Sequence, residues 1–197
     1  MMQIFLTAKA FLHDLDVFNH FIEFVENQKI EKRIITITTA QMDLSARQAY
    51  EVSTRDIFLR AGFIEVDFLD VQSEEPTRLR DFPIICIGGG NPFHLLNQIK
   101  KSKTDQILLD LRNKGHLIIG HSSGAAVLGE TIQHANLLHP KWNTIHLTDF
   151  TAIGMIREVI LPHSNRYSVQ EDTLKEYERS EHKKLLKIED GDYILVS

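Results

Sequence analysis

Short runs of apolar, β-branched residues alternate along the chain with longer amphipathic stretches. Residues 33–39 are almost wholly Ile and Thr, whereas Leu15, Phe18, Ile22 and Val25 recur at the spacing of one helical face. Such alternation is typical of βαβ units, which build a mostly parallel sheet covered by helices. The pattern therefore predicts an α/β fold.

Capping and breaking residues set the bounds of the predicted elements. Asp43 or Ser45 can cap a helix that Gly62 ends, and Pro92 suits the first position of another helix. The predicted strands cover residues 3–7, 33–39, 64–69, 83–87, 117–119, 158–161 and 194–196. Helices are predicted around residues 15–25, 45–61, 92–99, 104–113 and 169–181, with a short one ending near residue 129 and an irregular stretch over 130–149.

Composition and charge narrow the class of protein. With 43% hydrophobic and 25% charged residues, the 197 residues predict one ordinary globular domain over residues 1–197. A net charge of −5 does not favour binding to a nucleic acid or to an anionic membrane. The first residues lack a basic segment followed by a long apolar run, so we expect a cytoplasmic protein with no membrane partner.

The strongest chemical motif lies at residues 120–124, Gly-His-Ser-Ser-Gly, between a predicted strand and a small-residue helix start. This G-x-S-x-G pattern is typical of a nucleophile elbow, a sharp turn that lifts a serine hydroxyl above the sheet. Ser122 holds the central position and is the candidate nucleophile, although Ser123 competes for the role. Ser123 is better suited to supplying a backbone N–H to an oxyanion hole.

A second glycine turn, residues 88–92 (Gly-Gly-Gly-Asn-Pro), also follows a buried strand. Its backbone can approach a ligand closely, so Gly89 and Gly90 are candidate donors to a developing oxyanion; the alternative is a plain tight turn. Nucleotide binding is disfavoured, because neither a G-x-G-x-x-G fingerprint nor a P-loop is present. No H-E-x-x-H or C-x-x-C pattern indicates zinc, and we expect no cofactor.

A serine nucleophile needs a base, and histidine has the suitable pKa. Among ten histidines, His163 is the best placed, because it follows a predicted strand end, where the active-site loops of α/β sheets gather. His121 is adjacent to Ser122 in sequence, but we expect its side chain to point away from it.

At this point the sequence resembles the serine peptidases of the dipeptidase E (α-aspartyl dipeptidase) and cyanophycinase family. Residues 88–96 are similar to the family's G-G-G-N-x-F-x-L-L, and residues 120–125 to its G-x-S-A-G-A. Residues 161–163 resemble a third block and residues 187–191 the closing strand and turn. The resemblance implies a three-layer, Rossmann-like sheet related to class I glutamine amidotransferases, with helices on both faces.

The resemblance also implies roles for individual residues. Ser122 would be the nucleophile and His163 its base, with Gly90, Asn91 and Ser123 contributing to the oxyanion hole. The family's acidic residue between serine and histidine has no counterpart in residues 136–142, and Asp149 is the nearest downstream substitute.

The family's substrate preference does not carry over with these roles. Arg166 is the only arginine close behind His163, and no block matches the family's acid-recognising arginines, so the aspartyl preference is not transferred.

The sequence thus favours a serine peptidase acting on short peptides or other small acyl substrates. Two alternatives stay open at this stage: an esterase using the same serine and histidine, and a degenerate relative that binds a ligand without catalysis. A homodimer is also compatible with the sequence.

Overall fold

The computed structural model describes residues 3–196. In that range the strands are β1 (Gln3–Thr7), β2 (Arg33–Ile37), β3 (Glu65–Leu69), β4 (Ile84–Ile87), β5 (Leu117–His121), β6 (Val159–Pro162), β7 (Leu185–Ile188) and β8 (Tyr193–Val196). The α-helices are α1 (Leu15–Asn27), α2 (Leu44–Arg60), α3 (Pro92–Lys101), α4 (Thr104–Asn113), α5 (Ser123–Ala126), α6 (Gln133–Leu138) and α7 (Glu171–Ser180).

Six of these strands form the central sheet, in the order β3-β2-β4-β5-β1-β8. The pairs among β1 to β5 are parallel, and only β8 runs antiparallel, along the outer side of β1. The predicted α/β class with a mostly parallel sheet is therefore confirmed. Because β4 and β5 are parallel neighbours, the turns that follow them lie at the same edge of the sheet.

Helices cover both faces of the sheet, as predicted. Alternate residues of β1 separate the two cores: Ile4 and Leu6 belong to one hydrophobic cluster, and Phe5 belongs to the other. Helices α3 and α4 pack into the first cluster, and α1 and α2 pack into the second. Burial on both faces explains why the central strands are continuous apolar runs.

Strands β6 and β7 form a separate two-stranded parallel sheet. The backbone after α5 bonds to the segment that leads into β6, through Ile153 N to Val127 O at 2.9 Å and Glu130 N to Glu158 O at 3.2 Å. These backbone hydrogen bonds hold the small sheet beside the end of β5. It therefore brings the residues that follow β6 towards the residues that follow β5.

Three segments differ from the predicted strands and helices, the first being β7, which was not among the predicted strands. The stretch over 130–149, expected to be irregular, contains α6, and the predicted charged helix begins later, at Glu171, after a 3-10 segment over Ser164–Gln170. Asp43 is the residue that caps α2, accepting from Ala46 N at 2.7 Å. In residues 3–196 no helix is long and apolar enough to cross a membrane.

Candidate active site

Ser122 lies in the sharp turn between β5 and α5. Its backbone has φ 51° and ψ −117°, a region that residues with a side chain rarely adopt, and which costs about 1–3 kcal/mol. The turn is fixed on its strand side by Ser122 N donating to Thr7 O at 3.0 Å and on its helix side by Ala126 N donating to Ser122 O. This is the geometry expected of a nucleophile elbow.

The glycines of the elbow are required by close backbone contacts. A Cβ on Gly124 would lie 1.9 Å from the carbonyl oxygen of Ile87, at the end of β4. A Cβ on Gly120 would lie 2.7 Å from Cα of Ala125. Helix α5 therefore packs directly against the strand ends, which holds the serine at the sheet edge.

Gly124→Ala is expected to destabilise the fold by more than about 4 kcal/mol, or to prevent folding, because the obstructing atom belongs to backbone that cannot turn aside. Urea unfolding followed by circular dichroism measures the effect. Gly115→Ala is the control, since it has open space but a φ of +86° and should lose only about 1–2 kcal/mol. A Gly124→Ala variant as stable as wild type would contradict the packing of α5 against β4.

His163 follows β6 and meets Ser122. Nε2 of His163 lies 2.9 Å from Oγ of Ser122, within hydrogen-bond distance. Like Ser122, His163 has a positive φ, 58°. Both residues therefore lie in strained turns that follow the end of a strand. The structure thus brings together the two residues that the sequence singled out.

The acid beside this histidine is Asp190, not Asp149. Oδ1 of Asp190 lies 2.6 Å from Nδ1 of His163. Asp149 is instead bonded locally, with its Oδ1 accepting from Thr151 N at 2.9 Å. The expectation for Asp149 was wrong because proximity in sequence does not decide which loop reaches the histidine.

Pairing of the small sheet explains how Asp190 arrives there. Strands β6 and β7 are parallel, with Pro162 opposite Ile188, so the turns after them emerge together. His163 comes directly after β6, and Asp190 two residues after β7. The signal in the sequence was the strand-and-turn pattern at residues 187–191, which the family resemblance covered without giving Asp190 a role.

Asp190 is itself held in place. Arg166 Nε donates to its Oδ2 at 2.7 Å, and its backbone N–H donates to Oδ1 of Asn165 at 3.0 Å. Burial opposes ionisation, but the hydrogen bonds from Arg166 and His163 outweigh it and hold the pKa of Asp190 below its usual value. The carboxylate can only accept, so Nδ1 of His163 carries a proton and Nε2 is left to accept from the hydroxyl of Ser122.

Three backbone N–H groups in the turns at and beside Ser122 are unpaired within residues 3–196. Among the described residues, the N–H groups of Gly89, Gly90 and Ser123 have no hydrogen-bond partner. A Cβ on Gly89 would come within 3.0 Å of the Cβ of Ser122, which shows how closely this loop approaches. The side chain of Ser123 is buried and donates to Gly90 O, so its hydroxyl is committed to tying the two turns together.

Asn91 does not fit the expected oxyanion role. Its backbone N–H donates to Ala40 O at 2.8 Å, and its Oδ1 caps α3 by accepting from Phe93 N at 3.0 Å. Its Nδ2 donates to Trp142 O at 2.8 Å. With its donors engaged in this way, Asn91 instead fixes the glycine turn and the segment around Trp142.

His121 is not positioned as a base. It is buried, its Nδ1 lies 2.6 Å from Oγ1 of Thr7, and its ring meets Phe11 edge to face. Burial lowers the pKa of His121 to about 3, which keeps the imidazole neutral. The expectation that this side chain points away from Ser122 agrees with these contacts.

The cleft around Ser122 and His163 has two chambers. The aromatic chamber has a volume of about 570 Å³. Its lining includes Leu138, His139, Trp142 and Tyr167. The basic chamber, about 560 Å³, contains Lys9, His13 and Arg166. No carboxylate side chain lines either chamber within residues 3–196, and no cluster there has the composition to hold a metal ion.

Comparison with known proteins shows which family the chain resembles. The chain matches peptidase family S51 over residues 4–197. It is 27% identical over 179 residues to an uncharacterized peptidase of Listeria monocytogenes, a match that covers 89% of this chain and 84% of the relative. It is also 25% identical to a peptidase E of Shewanella oneidensis, covering 82% of this chain and 66% of that protein.

Solved structures show the same fold. A crystal structure of a candidate peptidase E from Listeria monocytogenes superposes with a TM-score of 0.76 at 24% identity, covering 100% of this chain and 94% of the other. A peptidase from an acI-B1 Actinobacterium gives the same TM-score at 19% identity, covering 100% of this chain and 83% of the other. The match of the family model to residues 4–197 shows that the chain belongs to peptidase family S51.

Proposed function

We propose that this protein is a serine peptidase that hydrolyses short peptides through an acyl-enzyme on Ser122. The observation that carries the proposal is the unbroken hydrogen-bonded line from Oγ of Ser122 through His163 to Asp190. A hydroxyl, an imidazole and a carboxylate in this order are the groups that nucleophilic acyl transfer requires.

The first half-reaction forms the acyl-enzyme. His163 Nε2 takes the proton of the Ser122 hydroxyl as Oγ bonds to the peptide carbonyl carbon. The negative charge that develops on the carbonyl oxygen is stabilised by the unpaired N–H groups of Gly89, Gly90 and Ser123. His163 then gives its proton to the leaving nitrogen, the C–N bond breaks and the amine departs.

The second half-reaction releases the acid. His163 removes a proton from a water molecule, whose oxygen bonds to the acyl carbon. The bond from that carbon to Oγ breaks, and the serine oxygen recovers the proton from Nε2. Throughout, Asp190 keeps Nδ1 protonated and stabilises the imidazolium that forms twice in each cycle.

The basic chamber supports a short substrate with a free carboxylate. Lys9 makes no ion pair with any described residue, and no acid shares the chamber with it. The α-carboxylate of a short peptide reaches such a cation only when few residues separate it from the scissile bond. We infer that this chamber binds the carboxylate end of the substrate.

Lys9→Met is expected to abolish discrimination between a short peptide and its C-terminal amide. Wild type should favour the free acid by about tenfold in KM, as a hydrogen bond to a charged group implies. Steady-state kinetics on matched acid and amide peptides measure the ratio. A ratio that stays the same in Lys9→Met would contradict the assignment of the basic chamber.

Hydrolysis of peptides and esters by the purified protein tests the proposal itself. A mixture of di- and tripeptides and a set of aminoacyl esters are incubated with wild type and with Ser122→Ala, and the products are identified by mass spectrometry. Peptide cleavage that depends on Ser122 supports the peptidase. Ester cleavage without peptide cleavage would favour an esterase, and no turnover of either would favour a binding protein.

A further inference from the structure

Trp142 forms an exposed but fixed wall of the aromatic chamber. Trp142 is 49% exposed, whereas tryptophan residues are usually mostly buried. The indole stacks on the ring of His139, with centroids 4.4 Å apart and planes 14° from parallel. His139 is in turn anchored, because its Nε2 lies 2.9 Å from the hydroxyl of Tyr167.

The backbone of this wall is tied to the catalytic loops. Asn91, which caps α3 after the glycine turn, donates to the carbonyl oxygen of Trp142. Tyr167 lies in the 3-10 segment that follows His163. The aromatic surface is therefore held in a set position relative to both Ser122 and His163, and binding a ligand there requires little further ordering of side chains.

Arg166, which pairs with Asp190, is the only Arg, Lys, Asp or Glu side chain that lines the chamber behind this wall within residues 3–196. His134 and His139 line it, and burial lowers the pKa of both side chains, that of His134 to about 4. Both imidazoles are thus neutral at neutral pH. Arg166 lies at the Asp190 side of the chamber, so a charged side chain placed among the rings of Trp142 and His139 would lose hydration without an ion partner from the wall, whereas an apolar one would gain from burial.

We propose that the aromatic chamber is a specificity pocket for a large apolar or aromatic side chain next to the scissile bond. This inference rests on the proposed peptidase function and names the substrate class of that same site. The fixed indole offers a stacking surface, and Leu138 and Leu161 offer aliphatic contacts to the same side chain. The expected preference for a phenylalanyl over an alanyl residue is about 10- to 100-fold.

A binding measurement tests this without requiring turnover. Trp142 is the only tryptophan in the sequence, so intrinsic indole fluorescence reports on this wall alone. Ser122→Ala is titrated with N-acetyl-phenylalanine amide, N-acetyl-alanine amide and N-acetyl-aspartate amide. The phenylalanine compound should change the emission saturably, with a Kd at least tenfold below those of the other two. Equal affinities, or tightest binding of the aspartate compound, would overturn the proposal.

A kinetic measurement separates this proposal from the function on which it rests. Trp142→Ala should lower the ratio of kcat/KM for Phe-Ala or Ala-Phe to that for Ala-Ala by at least tenfold. Trp142→Phe, which keeps a ring at the position, should restore most of the loss. An equal loss on all three dipeptides would refute the pocket while leaving the peptidase intact. If no peptide is hydrolysed, the peptidase fails and the fluorescence titration alone decides the pocket.

Discussion

Ser122→Ala is expected to reduce peptide hydrolysis by about 10⁶-fold, to the residual rate that binding and oxyanion stabilisation provide. The serine hydroxyl is the only one that lies within hydrogen-bond distance of His163 among the described residues, so no other side chain inherits its role. The methyl group fits the space that the Oγ leaves, and the elbow's strained backbone is unchanged. Initial-rate kinetics on a short peptide, with thermal unfolding to verify the fold, measure the effect.

Ser123→Ala is the matched control, one residue away. The hydroxyl of Ser123 donates to Gly90 O, and its backbone N–H, the group proposed to face the oxyanion, survives the substitution. We expect a loss of no more than about tenfold, caused by a loosened glycine turn. Equal losses in the two variants would mean that the wrong serine has been assigned as nucleophile.

Asp190→Asn carries the second largest expected effect, a loss of up to about 10⁴-fold in turnover. An amide can donate to Nδ1 of His163, which favours the tautomer with its proton on Nε2 and removes the acceptor that Ser122 needs. The change also removes the charge that stabilises the imidazolium. Comparison of kcat for the variant and wild type on one peptide measures the loss.

Asp149→Asn is the control for this prediction. Asp149 is exposed, and its Oδ1 accepts from Thr151 N, a bond that an asparagine side chain can also accept. Activity should stay within about twofold of wild type, because no contact links this residue to His163. A large loss in Asp149→Asn with none in Asp190→Asn would invert the assignment of the acid.

Local signals account for what the sequence predicted correctly. The strand runs of β1, β4 and β5 are apolar on both faces, and the glycines around Ser122 leave little choice of backbone, so a sharp strand-to-helix turn at Ser122 could be predicted directly. His163 was found because it immediately follows an apolar strand. These features depend on residues that are close together in the sequence, and they can therefore be predicted from the sequence alone.

Long-range pairing accounts for what the sequence missed. Asp190 lies 27 residues after His163 and reaches it only because β7 pairs with β6 in a separate sheet. No local pattern specifies the register of that pairing. Asn91 was assigned to the oxyanion hole from its position in a motif, yet its hydrogen bonds to Ala40, Phe93 and Trp142 involve residues up to 51 positions away. Only the folded geometry decides where such polar groups bond.

Covalent labelling with a fluorophosphonate tests the central claim most directly, because a serine hydroxyl activated by a neighbouring base displaces the reagent's fluoride and becomes phosphonylated. Labelled protein is digested and the modified residue located by tandem mass spectrometry, with Ser122→Ala and Asp190→Asn treated in parallel. The account predicts a single adduct on Ser122 in wild type, no adduct in Ser122→Ala and much slower labelling of Asp190→Asn. A folded wild-type protein that stays unlabelled, or that carries the adduct on Ser123, would contradict it.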